Sequence, residues 1–484
     1  MPNQFRNYID GEWMVSSDGK TFKQRNPADL DDVTGVWPAC TREDARRAIE
    51  AAQRAFPAWS RLSPFARAEY LKKALEAMRR QRDALADVLT RENGKTLAES
   101  RAEIDAAIKE MEFQIHEGLR LGGQTVASAM EGVFAYSTRQ PLGVVSIISP
   151  WNFPFNVPGR KCTPALMAGN TVVFKPASLT PQTGLKFVEL FIDAGLPPGV
   201  LNFLTGGGST VGEELVENPA IKAISFTGST GVGRAIHRKA AARMVRTQLE
   251  MGGKNPLVVL EDADLEAAAK SAVTAATACA GQWCTSTSRA IALRPVVKAF
   301  TEKVVELSKA IVVGDGRTPA TQMGPVCGLE QMKTILGYIE AGKSEGATLA
   351  CGGHALSDSL RAKGCFIAPT VFTGVKPGMR IAQEEIFGPV LSVMEATDFD
   401  EAVELANRVD FGLASTIYTT DLQRAFTFLE RTEVGLAHVN LMTAMKEPFL
   451  SFGGIKASGF GIPEAGKTGL EFFTEHKVAY VKYR

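Results

Sequence analysis

The sequence predicts an α/β fold in which parallel sheets, covered by helices, make up most of the chain. From residue 140 onward, short apolar runs alternate with helix-type patterns, which is the βαβ rhythm of a parallel sheet. The chain has 484 residues, too many for a single core, so we expect two or three domains. No internal repeat and no low-complexity segment breaks this pattern.

The part before residue 140 is predicted to begin with a hairpin and to continue as helices. Asn7–Trp13 has an Asp-Gly turn between apolar residues, which is a hairpin signal. A capping box at Thr41–Asp44 opens a first helix, which we expect to end near Phe56-Pro57. The remaining elements predicted here are a helix from Ser63-Pro64 through Leu89 that stops near Asn93-Gly94, a helix over 97–119, and an extended hairpin over 124–139.

The rest of the chain supplies the strands of the sheets. Apolar runs predict strands over 144–149, 171–174, 200–204, 223–226, 256–260, 289–293, 389–394 and 414–418, helices near 296–309 and 328–345, and an edge-type strand over 471–482. In open α/β sheets, ligands bind at the carboxyl ends of the strands. The residues that directly follow strands are therefore the first candidates for function.

Composition and charge exclude several classes of protein. The net charge is +1, with both signs interspersed, so we expect no nucleic-acid or membrane surface. No apolar run approaches the roughly 18 residues of a membrane span, and the N-terminal segment lacks the apolar centre of a secretory signal. Seven scattered cysteines without a CxxC pair and five separated histidines argue against disulfides and metal sites. We expect a cytoplasmic protein without a metal.

Cys284 is the centre of the predicted site. It follows Gly281-Gln-Trp, after an Ala-rich helical run and before a β-type run that begins at Arg289. A thiol on a loop with small neighbours can be reached by a substrate, so Cys284 is a candidate covalent nucleophile. The alternative is a buried apolar filler, because free cysteines are often buried. That alternative fits Cys279 better, which we place on the helix leading in.

Two further polar residues are candidate partners of the thiol. Asn152, in Pro150-Trp-Asn-Phe-Pro154, can donate its amide to an oxyanion, and the alternative is an Asn that caps the next helix. Glu250 lies in an apolar, Gly-rich segment, where its pKa should be raised so that it can act as a general base. The alternative for Glu250 is an ordinary helix-end carboxylate.

Three further loops carry candidate cofactor contacts. Thr227–Gly233 follows a strand and precedes a helix, so its backbone N–H groups can approach a phosphate; a tight turn is the alternative. Lys175 ends a strand and can bind ribose hydroxyls or a phosphate, unless it is a solvated surface lysine. Glu385 and Phe387 can hold a ribose and a nicotinamide face, unless they form an ordinary turn.

Six motifs, in this order, match one known pattern. The sequence resembles the aldehyde dehydrogenase superfamily in PWNFP at 150–154, FTGSTGVG at 226–233, LEMGGKNP at 249–256, GQWC at 281–284, EEIFGPV at 384–390 and FGGIKASG at 452–459. The resemblance covers essentially the whole chain. It implies a Rossmann-like cofactor domain (1–119 and 142–252), an α/β catalytic domain (253–451) and a small β-flap for oligomerisation (120–141 and 465–484). A homo-oligomer, dimer or tetramer, is expected to form by strand pairing.

The resemblance also implies roles for the candidate residues. Cys284 would attack an aldehyde carbon to give a thiohemiacetal, with the oxyanion stabilised by Asn152 and the Cys284 backbone N–H. Loss of a hydride to the nicotinamide would leave a thioester, which Glu250 would hydrolyse by activating water. Glu250 favours hydrolysis over transfer to coenzyme A. Lys161 and Glu464 resemble a proton-relay pair, although the spacing near Glu464 differs by one residue.

The implied cofactor is NAD or NADP. Its contacts would be Ile148, Pro150, Trp151, Lys175, Ser178, Gly208, Gly212, Phe226, Ser229, Val232, Gly252, Gln331, Glu385 and Phe387. Family members that strongly prefer NAD often carry a Glu three residues after the strand-end lysine, where this chain has Ser178. Such a Glu would repel a 2′-phosphate. We therefore predict that NADP is accepted, either alongside NAD or in preference to it, with Lys175 and Ser178 contacting its 2′-phosphate.

The substrate prediction depends on Arg160. Succinic and α-ketoglutaric semialdehyde dehydrogenases carry an Arg there, which grips the far carboxylate of the substrate. An Arg beside apolar residues is costly unless it is paired, and a substrate carboxylate is a natural bidentate partner; a structural salt bridge is the alternative. The implied substrate contacts are Arg160, Asn156, Phe153, Trp283, Thr285 and Phe449.

The resemblance favours 2,5-dioxopentanoate (α-ketoglutaric semialdehyde) as the substrate and 2-oxoglutarate as the product. Asn156 and the segment from Glu464 support this choice, because they resemble the same subgroup. Succinic semialdehyde, or a broad range of aldehydes, is the alternative. A non-catalytic structural or binding protein of the family is a more remote one, which predicts that the Cys, Glu or Asn is replaced. All three residues are present.

Overall fold

The computed structural model describes residues 3–359 and 361–484. Met1 and Pro2, part of the N-terminal segment discussed above, lie outside the described residues. The strands are β1 Asn7–Ile9, β2 Glu12–Met14, β3 Thr21–Asn26, β4 Asp29–Pro38, β5 Thr125–Ala127, β6 Val133–Pro141, β7 Val144–Ile148, β8 Thr171–Lys175, β9 Leu201–Phe203, β10 Ile221–Thr227, β11 Arg246–Glu250, β12 Asn255–Val259, β13 Thr287–Leu293, β14 Thr348–Cys351, β15 Thr370–Thr373, β16 Val390–Ala396, β17 Phe411–Gly412, β18 Ala414–Tyr418, β19 Leu436–Val439, β20 Ile455–Lys456, β21 Gly459–Phe460 and β22 Thr474–Lys482.

The helices lie between these strands and cover the sheets. They are α1 Arg42–Arg61, α2 Pro64–Asn93, α3 Leu97–Gly118, α4 Asn156–Met167, α5 Pro181–Asp193, α6 Glu213–Glu217, α7 Thr230–Ala241, α8 Leu265–Thr277, α9 Val297–Ala310, α10 Leu329–Ser344, α11 Arg380–Gln383, α12 Phe399–Asn407, α13 Leu422–Arg431 and α14 Gly466–Phe472. No helix of the described residues is long and apolar enough to cross a membrane.

The first large sheet confirms the predicted βαβ pattern. Its order is β2-β1-β9-β8-β7-β10-β11-β21, and the five strands from β9 to β11 are parallel. The predicted hairpin at the N-terminus pairs antiparallel as β1 and β2, and β1 extends the sheet through β9. The carboxyl ends of the parallel strands therefore face one common edge.

The second large sheet has the order β14-β15-β16-β13-β12-β18-β19, and all of its neighbours are parallel except β14 and β15. Cys284 lies just before β13, and Glu385 lies in the loop before β16. The second sheet thus contributes the amino ends of its strands to the site, whereas the first contributes carboxyl ends.

A third sheet joins two distant parts of the chain. The antiparallel strands β22, β6 and β5 pair in that order, with Thr474 opposite Pro141 and Lys482 opposite Val133. The prediction of one strand from residue 471 onward was wrong at its start, because residues up to Phe472 belong to α14. Gly469, Leu470, Phe472 and Phe473 are buried, and a helix places residues at this spacing on one face, whereas a strand does not.

The N-terminal helices follow their capping signals, with one exception. Thr41 and Asp44 form the predicted capping box of α1, and Gly94 ends α2 in the left-handed conformation. The expected end of α1 near Pro57 was wrong, because the helix continues to Arg61. Trp59 explains the continuation: its ring is buried and its Nε1 donates to Leu166 O at 3.3 Å, which offsets the hydrogen bond that Pro57 removes.

Candidate active site

One cavity of about 540 Å³ lies where the two large sheets face each other. Cys284, Asn152 and Glu250 all line it, although they come from three separate loops of the sequence. Asn152 follows β7, Glu250 ends β11, and Cys284 precedes β13. The topology therefore brings together the three residues that the sequence analysis selected for covalent chemistry.

A left-handed turn presents Cys284 to the cavity. Helix α8 ends at Thr277, and Cys279, Ala280 and Gly281 all have positive φ angles of 52°, 55° and 69°. Cys279 is buried, as expected, but its placement on the helix was wrong. The backbone N–H of Cys279 donates to Glu99 Oε1 at 2.7 Å instead of to a helix carbonyl. This bond satisfies a buried N–H group that the turn would otherwise leave without a partner.

The same turn packs directly against the loop that carries Glu385 and Phe387. A Cβ on Gly281 would lie 2.1 Å from the carbonyl oxygen of Gly388. Only glycine accommodates both the positive φ and this close approach. The loop that holds the nucleophile and the loop predicted to hold the cofactor ribose are thus in backbone contact.

The surroundings of Cys284 favour its neutral thiol over the thiolate. Burial raises the pKa of Cys284 to about 12; the nearby carboxylates of Glu385 and Glu250 add to the effect and Arg160 opposes it. The backbone is fixed by Asn255, whose Nδ2 donates to the Cys284 carbonyl at 2.8 Å. Formation of the nucleophilic thiolate therefore requires a base or an added positive charge.

Asn152 holds its amide beside the nucleophile loop. The side chain is buried, and its Nδ2 donates to Gln282 O at 3.0 Å, two residues before Cys284. Helix α4 begins at Asn156 without a side-chain cap. Asn152 therefore does not act as the helix cap that we considered as the alternative.

Glu250 is a buried carboxylate at the end of a central strand. Burial, followed by the negative charge of Glu464, raises its pKa well above the usual range, and among the described residues its Oε2 has no hydrogen-bond partner. Gly453 leaves the space that this carboxylate occupies, since a Cβ there would lie 3.0 Å from Glu250 Oε1. A raised pKa and a free oxygen suit a general base.

Lys161 and Glu464, the predicted relay pair, are in direct contact. Lys161 Nζ lies 2.6 Å from Glu464 Oε2 and donates to Ser225 Oγ at 2.9 Å. Ser225 in turn donates to Gln248 Oε1 at 2.8 Å. Burial opposes the charge on Glu464, but Lys161 and Arg160 outweigh it, so the pKa of Glu464 is lowered. A charged pair of this kind adjoins the base Glu250.

Arg160 lines the cavity but is already paired with two protein carboxylates. It donates from Nε and Nη2 to Glu110 at 2.8 and 3.0 Å, from Nη1 to Glu464 at 2.7 Å, and from Nη2 to Asn156 Oδ1 at 2.8 Å. These bonds use four of its five N–H groups. The structural salt bridge, our alternative for Arg160, is therefore present.

Glu110 and Lys446 belong to this cluster, and the sequence analysis missed both. Lys446 Nζ forms an ion pair with Glu110 Oε1 and lies 3.3 Å from Asn156 Oδ1. Burial alone would raise the pKa of Glu110, but Arg160 and Lys446 lower it to about 2. One signal was available in the sequence: Glu110 interrupts an apolar helix stripe that includes Ala107 and Met111.

Helix α3 positions three parts of the site with carboxylates on one face. Glu99 binds the Cys279 N–H, and Glu103 Oε1 accepts from the backbone N–H groups of Phe155 and Asn156 at 2.9 and 3.1 Å. Glu103 also pairs with the buried Lys95. Together with Glu110, these residues fix the nucleophile turn, the start of α4 and Arg160.

The predicted cofactor residues near Cys284 form a polar cradle in the same cavity. Glu385 Oε1 accepts from the Gly253 N–H at 3.0 Å, and a Cβ on Gly252 would lie 1.9 Å from Glu385 Oε2. Burial raises the pKa of Glu385 to about 7. Gln331 Nε2 donates to Phe387 O at 2.8 Å. A half-buried carboxylate that only a glycine admits fits the hydroxyl groups of a nucleotide ribose.

The other predicted cofactor residues lie at the carboxyl edge of the first sheet. Lys175 ends β8, where burial lowers its pKa to about 8, and Ser178 is exposed just beyond it. The remaining residues at this edge are Ile148, Pro150 and Trp151 at the end of β7, Gly208 and Gly212 before α6, Phe226 in β10, and Ser229 and Val232 at the start of α7. A helix N-terminus beside strand ends fits a pyrophosphate.

The apolar substrate contacts fall into two groups. Phe153 and Trp283 line the cavity with ring centroids 5.2 Å apart, and Thr285 lies beside them. Phe449 does not line the cavity; its side chain is 60% exposed and packs edge-on against Phe113. The geometry thus does not bring Phe449 together with the other predicted contacts.

Comparisons with known proteins identify the family of this chain. A sequence profile of the aldehyde dehydrogenase family matches residues 13–479. The alpha-ketoglutaric semialdehyde dehydrogenase of Bacillus subtilis is 42% identical over 99% of this chain and 98% of its own length. The 2,5-dioxopentanoate dehydrogenase of Saccharolobus solfataricus is 42% identical over 97% and 98%, respectively.

Solved structures give the same result for the fold. An NADP-dependent enzyme of E. coli superposes with a TM-score of 0.95 at 36% identity, covering 99% of this chain and 98% of that one. Betaine aldehyde dehydrogenase of Staphylococcus aureus, in complex with NAD+, superposes with a TM-score of 0.97 at 34% identity, covering 99% and 95%. The chain belongs to the aldehyde dehydrogenase family and is an NAD(P)-dependent oxidoreductase that acts on aldehydes.

Proposed function

We propose that this chain oxidises 2,5-dioxopentanoate to 2-oxoglutarate with NAD or NADP. The observation that carries the proposal is the cluster of cations Arg160, Lys161 and Lys446 in and beside the cavity of Cys284. An acid-ended aldehyde matches a cavity with a thiol at one place and ammonium and guanidinium groups at another. Relatives named for this activity align over nearly the whole chain.

The first half-reaction forms a bond between Cys284 Sγ and the aldehyde carbon. The thiol loses its proton to water in the cavity, and the π electrons of the carbonyl move to oxygen, where Asn152 Nδ2 and the Cys284 backbone N–H donate to the oxyanion. When bound, the oxidised nicotinamide supplies the acceptor for the hydride that leaves this carbon. The carbonyl then re-forms as a thioester on Cys284.

The second half-reaction hydrolyses the thioester. Glu250 takes a proton from water, and the water oxygen bonds to the thioester carbon. The C–S bond breaks, the sulfur leaves with the bonding pair, and the product carboxylate is released. The proton held by Glu250 passes toward the Lys161–Glu464 pair. The unpartnered oxygen of Glu250 supports its role as the base.

The cofactor and the assembly are proposed on separate grounds. We propose that NADP is accepted as well as NAD, because Ser178 places no carboxylate where a 2′-phosphate would bind. We also propose a homo-oligomer in which the flap strand β22 pairs with a second copy. Its exposed side chains include Val478, Tyr480 and Val481, and an open, apolar edge of this kind invites strand pairing.

The test is a kinetic comparison of aldehydes with both cofactors. We expect kcat/KM for 2,5-dioxopentanoate to exceed that for propanal by about tenfold or more, and mass spectrometry should identify 2-oxoglutarate as the product. Equal values for the two aldehydes would refute an acid-end preference. A higher kcat/KM for succinic semialdehyde than for 2,5-dioxopentanoate would support the acid-end preference but would assign the shorter aldehyde as the substrate.

A further inference from the structure

Lys446 is the most accessible cation of the cluster in the cavity. It follows β19 in a loop, its side chain is 22% exposed, and that of Arg160 is 5% exposed. Its ammonium contacts only Glu110 and Asn156 among the described polar groups. The loop itself is tied down by Thr443, whose hydroxyl donates to Thr285 O at 2.6 Å. Lys446 can therefore change partner by moving its side chain alone.

Glu110 does not depend on Lys446 for its charge balance. Arg160 donates to both of its oxygens, at 2.8 and 3.0 Å. If Lys446 turned away, Glu110 would keep this bidentate ion pair. Arg160 lacks the same freedom, because its departure would leave the buried carboxylates of Glu110 and Glu464 without it, which is a costly arrangement. Of the two cations, Lys446 is the one that can exchange.

The charges of the cluster favour an incoming anion. Arg160, Lys161 and Lys446 face two carboxylates, Glu110 and Glu464, so three positive charges meet two negative ones. The third acid, Glu250, is driven toward its neutral form. Burial and the nearby Arg160 lower the pKa of Lys446. A substrate carboxylate would compensate the excess positive charge.

We propose that Lys446 is the residue that grips the terminal carboxylate of the substrate, exchanging Glu110 for it while Arg160 remains fixed by Glu110 and Glu464. This inference rests on the proposed oxidation of an acid-ended aldehyde and names the residue that selects it. Arg160 then acts mainly as a positioning residue, because four of its five N–H groups are bonded to Glu110, Glu464 and Asn156. The ring centroid of Phe452 lies 4.7 Å from Arg160 Cζ and 5.8 Å from Lys446 Nζ. The aromatic ring therefore contacts both cations.

The test compares Lys446→Met and Lys446→Arg with the wild type on 2,5-dioxopentanoate and propanal. For Lys446→Met we expect KM for the acid-ended aldehyde to rise about tenfold or more relative to any change in KM for propanal. Lys446→Arg should restore much of the loss. Lys186→Met is the matched control, since Lys186 forms one partly exposed ion pair, with Glu189, outside the cavity.

A second measurement covers the case in which Lys446→Met is unstable. Glutarate, which has a carboxylate at each end and no aldehyde, should inhibit propanal oxidation competitively in the wild type and in Lys446→Arg, and much more weakly in Lys446→Gln, whose neutral amide can still donate to Glu110. Unchanged KM in Lys446→Met, or equal losses on both aldehydes in both variants, would overturn the role of Lys446 alone. A wild-type enzyme that does not prefer acid-ended aldehydes would instead refute the proposed function, and this inference with it.

Discussion

Lys161 Nζ lies 2.6 Å from Glu464 Oε2, and the negative charge of Glu464 is, after burial, the main cause of the raised pKa of Glu250. The two residues thus set the pH range in which the proposed base can act. The positive charge of Lys161 lowers the pKa of Glu250 and so partly offsets the effect of Glu464. This relationship gives a signed prediction for the pH dependence of the reaction.

In the Glu464→Gln variant, we expect the part of the pH profile in which kcat increases with pH to move to lower pH. The substitution removes the charge that raises the pKa of Glu250 and leaves Lys161 and Arg160 to lower it, so Glu250 ionises earlier. The melting temperature should also fall, because two buried cations lose a partner. Steady-state rates across pH measure the shift, with the exposed Glu447→Gln as control. A limb that stays in place or moves to higher pH would contradict the prediction.

Cys284→Ser is expected to abolish NAD(P)H formation while leaving the melting temperature close to that of the wild type. A serine hydroxyl without a strong base is a far weaker nucleophile than a thiolate. The control is Cys351→Ser, a half-buried cysteine on β14, far from the cavity lining. If Cys284→Ser retained substantial activity, or if Cys351→Ser lost it, the assignment of the nucleophile would be wrong.

Glu250→Gln is expected to stop the reaction after the thioester has formed. The first half-reaction does not need the base for water, so rapid mixing should give a burst of about one reduced cofactor per active site, followed by a steady rate lowered roughly 100-fold or more. Intact-protein mass spectrometry should detect the acyl group on Cys284. Glu261→Gln, at a surface ion pair with Arg424, should behave like the wild type. Absence of both burst and adduct would exclude this role.

Gly252→Ala should raise KM for the cofactor by about tenfold, with a smaller effect on the aldehyde. The new Cβ would lie 1.9 Å from Glu385 Oε2, so the carboxylate must leave its hydrogen bond with Gly253. Gly337→Ala on α10 is the matched control, because no atom lies within 4 Å of the added Cβ. Direct titration of NADP and NAD by intrinsic fluorescence separates cofactor binding from turnover. Unchanged affinity would show that Glu385 does not hold the ribose.

Ser178→Glu should lower kcat/KM for NADP by about tenfold or more while sparing NAD. A carboxylate at this exposed position would repel a 2′-phosphate but can accept hydrogen bonds from ribose hydroxyls. Ser344→Glu, an exposed serine at the end of α10, is the control for added charge. A wild-type enzyme with a large preference for NAD would already contradict the premise.

The sequence sufficed for the features that depend on local pattern. Strand and helix periodicity predicted the central parallel strands of both large sheets, and the rule that ligands bind beyond strand ends selected Asn152 and Lys175. Glu250 was selected for its apolar, Gly-rich surroundings, and the structure adds that it ends strand β11. These residues converge because parallel strands end at a common edge. Local reasoning failed at Pro57, where burial of Trp59 outweighs the proline, and at Cys279, where a contact with Glu99 from a distant helix draws the chain out of α8.

The charge cluster lay beyond sequence reasoning for a different reason. Arg160 was recognised as a charge that needs a partner, but nothing local indicates whether the partner is a substrate or a protein group. Glu110 and Glu464 come from α3 and from the segment before α14, and only the packed structure brings them to Arg160. Lys446 carried no motif, so its approach to Glu110 could not be anticipated.

The ion pair between Arg160 and Glu464 has a consequence for biosynthesis, because 304 positions separate the two residues in the chain. Helices α1 to α5 and the strands of the first sheet up to β11 can begin to fold on the ribosome well before Glu464 has been made. During that interval Arg160 and Lys161 lack their shared counter-ion. The active site can be completed only after the chain has been synthesised at least to residue 464. A ribosome-bound nascent chain that stops before this residue has most of the first sheet but lacks the carboxylate that pairs with Arg160 and Lys161.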